Sequence, residues 1–170
     1  MPESTTCPAA INLEIAAPAD WPAPEEALRR TVREAIATAL RVAPPPAGRC
    51  EVNVVLADAR AVRALNRDWR GKDAATNVLS FPAPAHMPIP PGVPRPLGDI
   101  ILAGSVVAAQ AADAGVSLTG QLAWLTVHGL LHLLGYDHMD EDQARVMEDA
   151  ERRILARLGL SDPYGDESGR

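Results

Sequence analysis

Apolar residues recur along this chain with two different periods, and the changes of period divide it into elements. Residues 11–16 (INLEIA) alternate as a short strand. Residues 24–42 switch to helical spacing, with Leu28, Val32, Ala35, Ile36 and Leu40 on one stripe behind Pro24 and two glutamates. The PPPAG run at 44–48 ends that helix, and residues 50–57 (CEVNVVLA), rich in β-branched side chains, predict a second strand. Asp58 is placed to cap a helix running to about Trp69. TNVLSF (76–81) predicts a strand closed by Pro82, and GDIILAG (98–104) another, followed by a short helix to about Ala114. Between those strands, residues 82–96 form a Pro-dense loop that contains His86. Ser117 caps a helix that is apolar almost all round, from Leu118 through Leu122, Leu125 and Leu130 to Leu134, which belongs at the centre of the fold. From Asp140 an acidic amphipathic helix resumes, with Val146, Met147, Ile154, Leu155 and Leu158 as its apolar positions, and stops at Gly159.

Strands lie mostly in the first half and helices mostly in the second. The expectation is an α+β fold, a single mixed β-sheet packed with helices around the central apolar helix. No repeat and no domain boundary interrupts the pattern. A single domain is expected over residues 11–160, with a disordered N-terminus at 1–10 and a polar C-terminal tail at 161–170.

The net charge of −6 argues against nucleic acid only until its distribution is considered. Residues 1–100 balance 11 basic against 11 acidic side chains, while residues 101–170 hold 5 against 11. An acidic protein still binds RNA if its basic groups gather at one site. Cys7 and Cys50 match no metal or redox spacing and are expected as reduced thiols. MPESTTCPAA has neither a basic n-region nor an apolar h-region, and no apolar stretch is long enough for a membrane span. A cytoplasmic protein is the expectation.

The densest chemistry is in VHGLLHLLGYDH, residues 127–138, where His128, His132, Gly135 and His138 stand as H-x-x-x-H-x-x-G-x-x-H. His128 and His132, four apart on a helix, leave the same face about one turn apart. Gly135 can take positive φ and end the helix, so that His138 returns as a third nitrogen ligand. Three protein ligands with a fourth position left for water is the arrangement of a catalytic zinc. The spacing is that of the extended zinc-protease motif with one exception: Gly129 stands where a protease carries its general-base glutamate. Asp137 either orients a ligand or shapes the turn.

A second constellation lies on the helix from Asp58. Arg60, Arg63, Arg67 and Arg70 are spaced by three, four and three, with Val62, Leu65 and Trp69 on the opposite face. Lys72, the only lysine, extends the row. Such a row is either a solvated face or a set of phosphate contacts, because the planar guanidinium fork matches phosphate oxygens.

HGLLHLLGYDH, the run Leu65, Asn66, Arg70 followed by Thr76–Asn77–Val78–Leu79–Ser80–Phe81–Pro82, the Gly98–Asp99–Ile100 strand and the closing Met147, Glu148 and Glu151 together resemble the YbeY family of bacterial single-strand-specific endoribonucleases. The likeness runs from about residue 11 to residue 160. It implies a zincin-like metal site with one Zn2+ per chain at His128, His132 and His138, and a functionally important arginine at Arg70. It further implies processing of the small-subunit (16S) rRNA 3′ end and ribosome quality control, with single-stranded rRNA, the small ribosomal subunit and assembly factors as partners. Asn77 stands where an aspartate is common, and the 82–96 loop is long for the pattern.

The reading that follows is a zinc-dependent endoribonuclease. A metal-bound water and Arg70 are the catalytic groups, and Arg60, Arg63, Arg67 and Lys72 contact substrate. One alternative is a metalloprotease-like hydrolase, opposed by Gly129. Another is a ribosome-assembly binding factor with little nuclease activity, whose zinc holds the fold; a fourth protein ligand, with His86 the obvious candidate, would favour it.

Overall fold

The computed structural model describes residues 9–45, 48–84 and 86–164. The expectations for residues 1–8, including Cys7, and for 165–170 lie outside the described residues. In chain order the elements are β1 (Ala9–Ile15), α1 (Glu25–Val42), β2 (Cys50–Ala57), α2 (Ala59–Arg70), β3 (Val78–Pro82), β4 (Arg95–Ala103), α3 (Gly104–Ala114), α4 (Leu118–Leu133) and α5 (Glu141–Arg157). The strands form one mixed sheet in the order β1-β2-β4-β3, with β1, β2 and β4 parallel and β3 antiparallel at the edge. The α+β expectation is met.

Alternation in the strands decides which face each helix covers. Val52, Val54 and Leu56 of β2, with Ile100 and Leu102 of β4, point into the main core. There they meet Leu28, Val32 and Ile36 of α1 and Leu122, Leu130 and Leu131 of α4. All eleven are buried at 0–2% exposure, so this layer holds the burial that drives folding, each such side chain contributing about 1.5–3 kcal/mol. Ala57, Leu79 and Ala103 point the other way and are covered by Val62 of α2. Beyond α2 the outer face is polar, with a ladder in which Asn12 donates to Asn53 at 2.9 Å and Asn53 donates to Asp99 at 2.8 Å.

Caps set the helix starts where the sequence places them. The side chains of Asp58, Ser117 and Asp140 accept from Ala61, Gly120 and Gln143 backbone N–H groups, satisfying donors that a helix start leaves open. Two boundaries and the facing of one side chain differ from expectation. Strand β1 begins at Ala9, because Ala9 and Ala10 already pair with Cys50 and Glu51, so the expected disorder does not reach these two residues. Strand β4 begins at Arg95, inside the stretch expected as loop, its first residues pairing with Cys50 and Glu51 ahead of a register shift. On α2, only Val62 and Asn66 are buried, and Trp69, expected on the buried face, is 73% exposed. Trp69 sits in the last turn and meets Phe81 in a T-shaped contact, ring centroids 6.5 Å apart.

Candidate metal centre and cleft

Helix α4 carries the first two histidines through the core. Its apolar side chains fix its position, and His128 and His132 emerge on its one half-buried face. The helix ends in a Schellman turn: Gly135 N–H donates to His132 O at 3.1 Å and Tyr136 N–H to Leu131 O at 3.0 Å. Gly135 takes φ +98°, which a side chain would resist, and this reversal brings His138 back over the helix. One ring nitrogen from each of His128, His132 and His138 lies within 4.8 Å of the others. His86 is exposed and belongs to no such group among the described residues.

The donors are arranged for a cation. Tyr136 O accepts from His132 Nδ1 at 3.0 Å, and a carbonyl can only accept, so the hydrogen of His132 is on Nδ1. Glu151 Oε1 takes the Nδ1–H of His128 at 2.5 Å. Burial alone would push the Glu151 carboxyl up, but the bond and charge of His128, with donors Tyr164 and Trp124, outweigh it and hold it below the usual carboxylate range. In the neutral rings both Nε2 atoms bear lone pairs, and the two nitrogens face one another at 3.2 Å. Either a shared proton or a metal ion relieves that opposition. Burial, then the neighbouring His128 and His138, hold His132 below the ordinary histidine range, against the proton. Three imidazoles, two of them with the outer nitrogen anchored by a carboxylate or a carbonyl, fit a divalent transition metal.

Gly129 has a packing cause. Its helix face lies on the sheet, where a Cβ would come within 2.9 Å of Ile100 Cγ2 and 3.1 Å of Ser80 Oγ. A glutamate at that position would have to displace Ile100 and crowd Ser80, so packing opposes a protease-type base there. Asp137 shapes the turn by accepting the backbone N–H of His138 at 2.7 Å.

Beside the histidines opens a cleft of about 680 Å³, lined on its far side by Arg70, Lys72, Asn77 and Ser80. Arg70 is held there by donating from Nη2 to Ser80 O at 2.9 Å and by lying over the Phe81 ring, 5.7 Å from its centroid. Of the basic row, Arg70 and Lys72 line the cleft, and Arg60, Arg63 and Arg67 do not. Arg63 instead forks onto Asp73 at 2.8 and 3.2 Å, and Arg67 pairs with Asp68 at 3.1 Å. Asn77 uses its amide neutrally, donating to Gln110 Oε1 at 3.0 Å and accepting from Val78 N–H at 2.7 Å.

Three residues around the site carry no role in the sequence reading. Glu151 is fully buried and accepts from Trp124 Nε1 at 3.2 Å and Tyr164 Oη at 2.7 Å as well as from His128. The signal for Glu151 was its place on the apolar stripe of α5 between Met147 and Ile154, where an unpartnered carboxylate would be costly. Tyr164 falls in the expected polar tail, and nothing local marks it.

Residues 17–159 match the family described as endoribonuclease YbeY. The endoribonuclease YbeY of Paramagnetospirillum magneticum is 48% identical over 159 residues, covering 92% of this chain and 96% of that protein. That of Rhizobium meliloti is 47% identical over 167 residues, covering 93% and 97%. A solution structure from Thermotoga maritima shares the fold with a TM-score of 0.54 at 21% identity, covering 91% of this chain and 98% of that one. A family match across that span, with relatives nearly half identical over almost their entire length, makes this chain a member of the YbeY endoribonuclease family.

Proposed function

We propose that this chain is a zinc-dependent endoribonuclease that cuts single-stranded RNA, acting in the cytoplasm on the 3′ end of small-subunit (16S) rRNA and in ribosome quality control. The observation that carries the metal part is the pair of Nε2 atoms of His128 and His132 facing each other at 3.2 Å, with both Nδ1 atoms already committed. The RNA part is supported by the relatives, which are named endoribonuclease YbeY, and the rRNA part by the resemblance of the histidine and TNVLSFP segments. An all-imidazole donor set suits Zn2+ at His128, His132 and His138, which when bound supplies Lewis acidity toward a phosphodiester.

The chain's own groups then divide the work. Arg70, tethered at one Nη by Ser80 O, turns its remaining donors toward the cleft and holds a phosphate as negative charge builds on it. Lys72 adds a second positive charge on the same wall. Arg60, Arg63 and Arg67 serve as outer contacts along the strand, two of them after exchanging a surface carboxylate for a phosphate. The small ribosomal subunit and its assembly factors are the partners this substrate entails.

The test compares wild type with His132→Ala for metal per chain and for cleavage of a single-stranded RNA, the same RNA in a duplex, and a precursor spanning the rRNA 3′ end. Cleavage confined to single strands, lost together with the metal, is expected. Metal-dependent peptide hydrolysis with RNA left intact would overturn the proposal.

A further inference from the structure

Glu151 is the one fully buried acidic side chain among the described residues. Its Oε1 takes the Nδ1–H of His128 at 2.5 Å, and its Oε2 takes Tyr164 Oη at 2.7 Å and Trp124 Nε1 at 3.2 Å. Tyr164 reaches it from beyond α5. The chain leaves that helix at Gly159 and is fastened at Asp162, which accepts from Arg152 Nε at 3.1 Å and from Tyr164 N–H at 2.8 Å. Arg152 also lies over the Tyr164 ring, 5.4 Å from its centroid.

From this geometry we infer that Glu151 and Tyr164 are positioning residues for His128, which makes segment 162–164 a working part of the metal centre. The inference rests on the reading of the three histidines as a metal site. The logic is one of donors and acceptors. Trp124 Nε1–H can only donate, so Oε2 must accept there, and an ionised Oε1 is left to hold the His128 hydrogen on Nδ1. In the neutral ring the lone pair of His128 is then on Nε2, facing the cluster. The tyrosine hydroxyl is the shortest of the Oε2 contacts, and it stops the carboxylate from rotating away.

An amide at position 151 cannot serve all three neighbours. With its oxygen toward His128, its NH2 meets the Trp124 N–H, donor against donor. With its oxygen toward Trp124, its NH2 meets Nδ1 and forces the hydrogen of His128 onto Nε2, which removes the ligating lone pair. Either arrangement weakens metal binding without removing a ligand. Outer partners of metal-bound histidines typically control about 10–100-fold in affinity.

The test measures Zn2+ affinity of the full chain by competition with a chromophoric chelator, and the visible spectrum of the Co2+ form. Glu151→Gln is expected to bind Zn2+ about 10–100-fold more weakly, with an altered Co2+ spectrum. Adding Trp124→Phe removes the opposing N–H and is expected to restore part of that affinity. Tyr164→Phe, which removes a single hydroxyl, is expected to weaken binding less, by several-fold, and to carry the test alone if the glutamine variant does not fold. A purely structural role predicts lowered melting temperatures with Zn2+ affinity and Co2+ spectrum as in wild type. That result in both single variants would overturn the inference and leave the metal site standing. Wild-type protein that binds neither ion would defeat the metal reading itself, and this inference with it.

Discussion

Arg70 donates to the main-chain carbonyl of Ser80 at 2.9 Å, so the last turn of α2 is tied to the edge strand next to the histidine helix. The arginine's neighbours in sequence, Asp68 and Asp73, pair instead with Arg67 and Arg63. Among the described residues Arg70 makes no ion pair, so it brings an unpaired positive charge to the cleft. Arg70→Ala should lower RNA cleavage by roughly 10²-fold with metal content unchanged. Arg70→Lys should recover part of it, because a point charge lacks the planar fork. Arg60→Ala and Arg63→Ala should instead weaken binding modestly and reduce its salt dependence. Near-wild-type cleavage by Arg70→Ala would reduce this residue to a tether between α2 and β3.

Purified protein should hold about one Zn2+ per chain, measured by elemental analysis. Alanine at His128, His132 or His138 should lower occupancy, and alanine at the exposed His86 should not. Chelation should lower the melting temperature, since a ligand at a hundredfold excess over its Kd stabilises by about 2.7 kcal/mol. Full occupancy in His138→Ala would remove that residue from the ligand set.

At Gly129 an added methyl meets Ile100 and Ser80 at 2.9 and 3.1 Å. Gly129→Ala should cost about 1–3 kcal/mol, the usual penalty of overpacking a filled core, read from denaturant melts. Gly129→Glu, which restores the protease pattern in sequence, should unfold the protein and yield no peptidase. A stable Gly129→Glu variant would show that the helix can lift from the sheet.

Tyr164 should ionise late. Burial, followed by its bond to Glu151 and the charge of that carboxylate, raises its phenol above the ordinary value near 10. A group with a raised folded-state pKa stabilises the fold fully below its unfolded pKa, and that contribution is lost as pH rises through the folded value. In ultraviolet titration, the phenolate signal in the difference between wild type and Tyr164→Phe should rise at higher pH than that of free tyrosine. A signal at the free-tyrosine midpoint would mean the Glu151 contact is absent in solution.

Period and capping residues carried most of the fold because both are local. Leu28, Val32 and Ile36 mark their helix face without reference to anything else, and Asp58, Ser117 and Asp140 are found capping α2, α4 and α5. The histidine cluster was legible for the same reason, two ligands being one turn apart and the third just past a glycine. Trp69 was misplaced because helical spacing gives a direction and not the extent of the neighbour: the last turn of α2 lies against the edge strand β3, where Trp69 stays 73% exposed. The pairing of Arg63 with Asp73, ten positions on, depends on the path of a loop. Glu151 reaches His128 only through the packing of α5 on α4, and Tyr164 reaches Glu151 from beyond α5, which no spacing within either segment encodes.

The cluster is mechanically uneven. His128 and His132 ride on a helix whose neighbours Val127, Leu130 and Leu131 are wholly enclosed, whereas His138 sits on an exposed stretch between Gly135 and the start of α5. An ion held by all three would arrive at a ready-made pair and be closed in by the third. Its residence time would then be governed by how often the short segment swings out, and its intrinsic affinity by the helix. Substitutions at Tyr136, Asp137 or Met139 should act on the rate of metal exchange, and substitutions in the buried helix on the equilibrium, two quantities that a single occupancy measurement would merge.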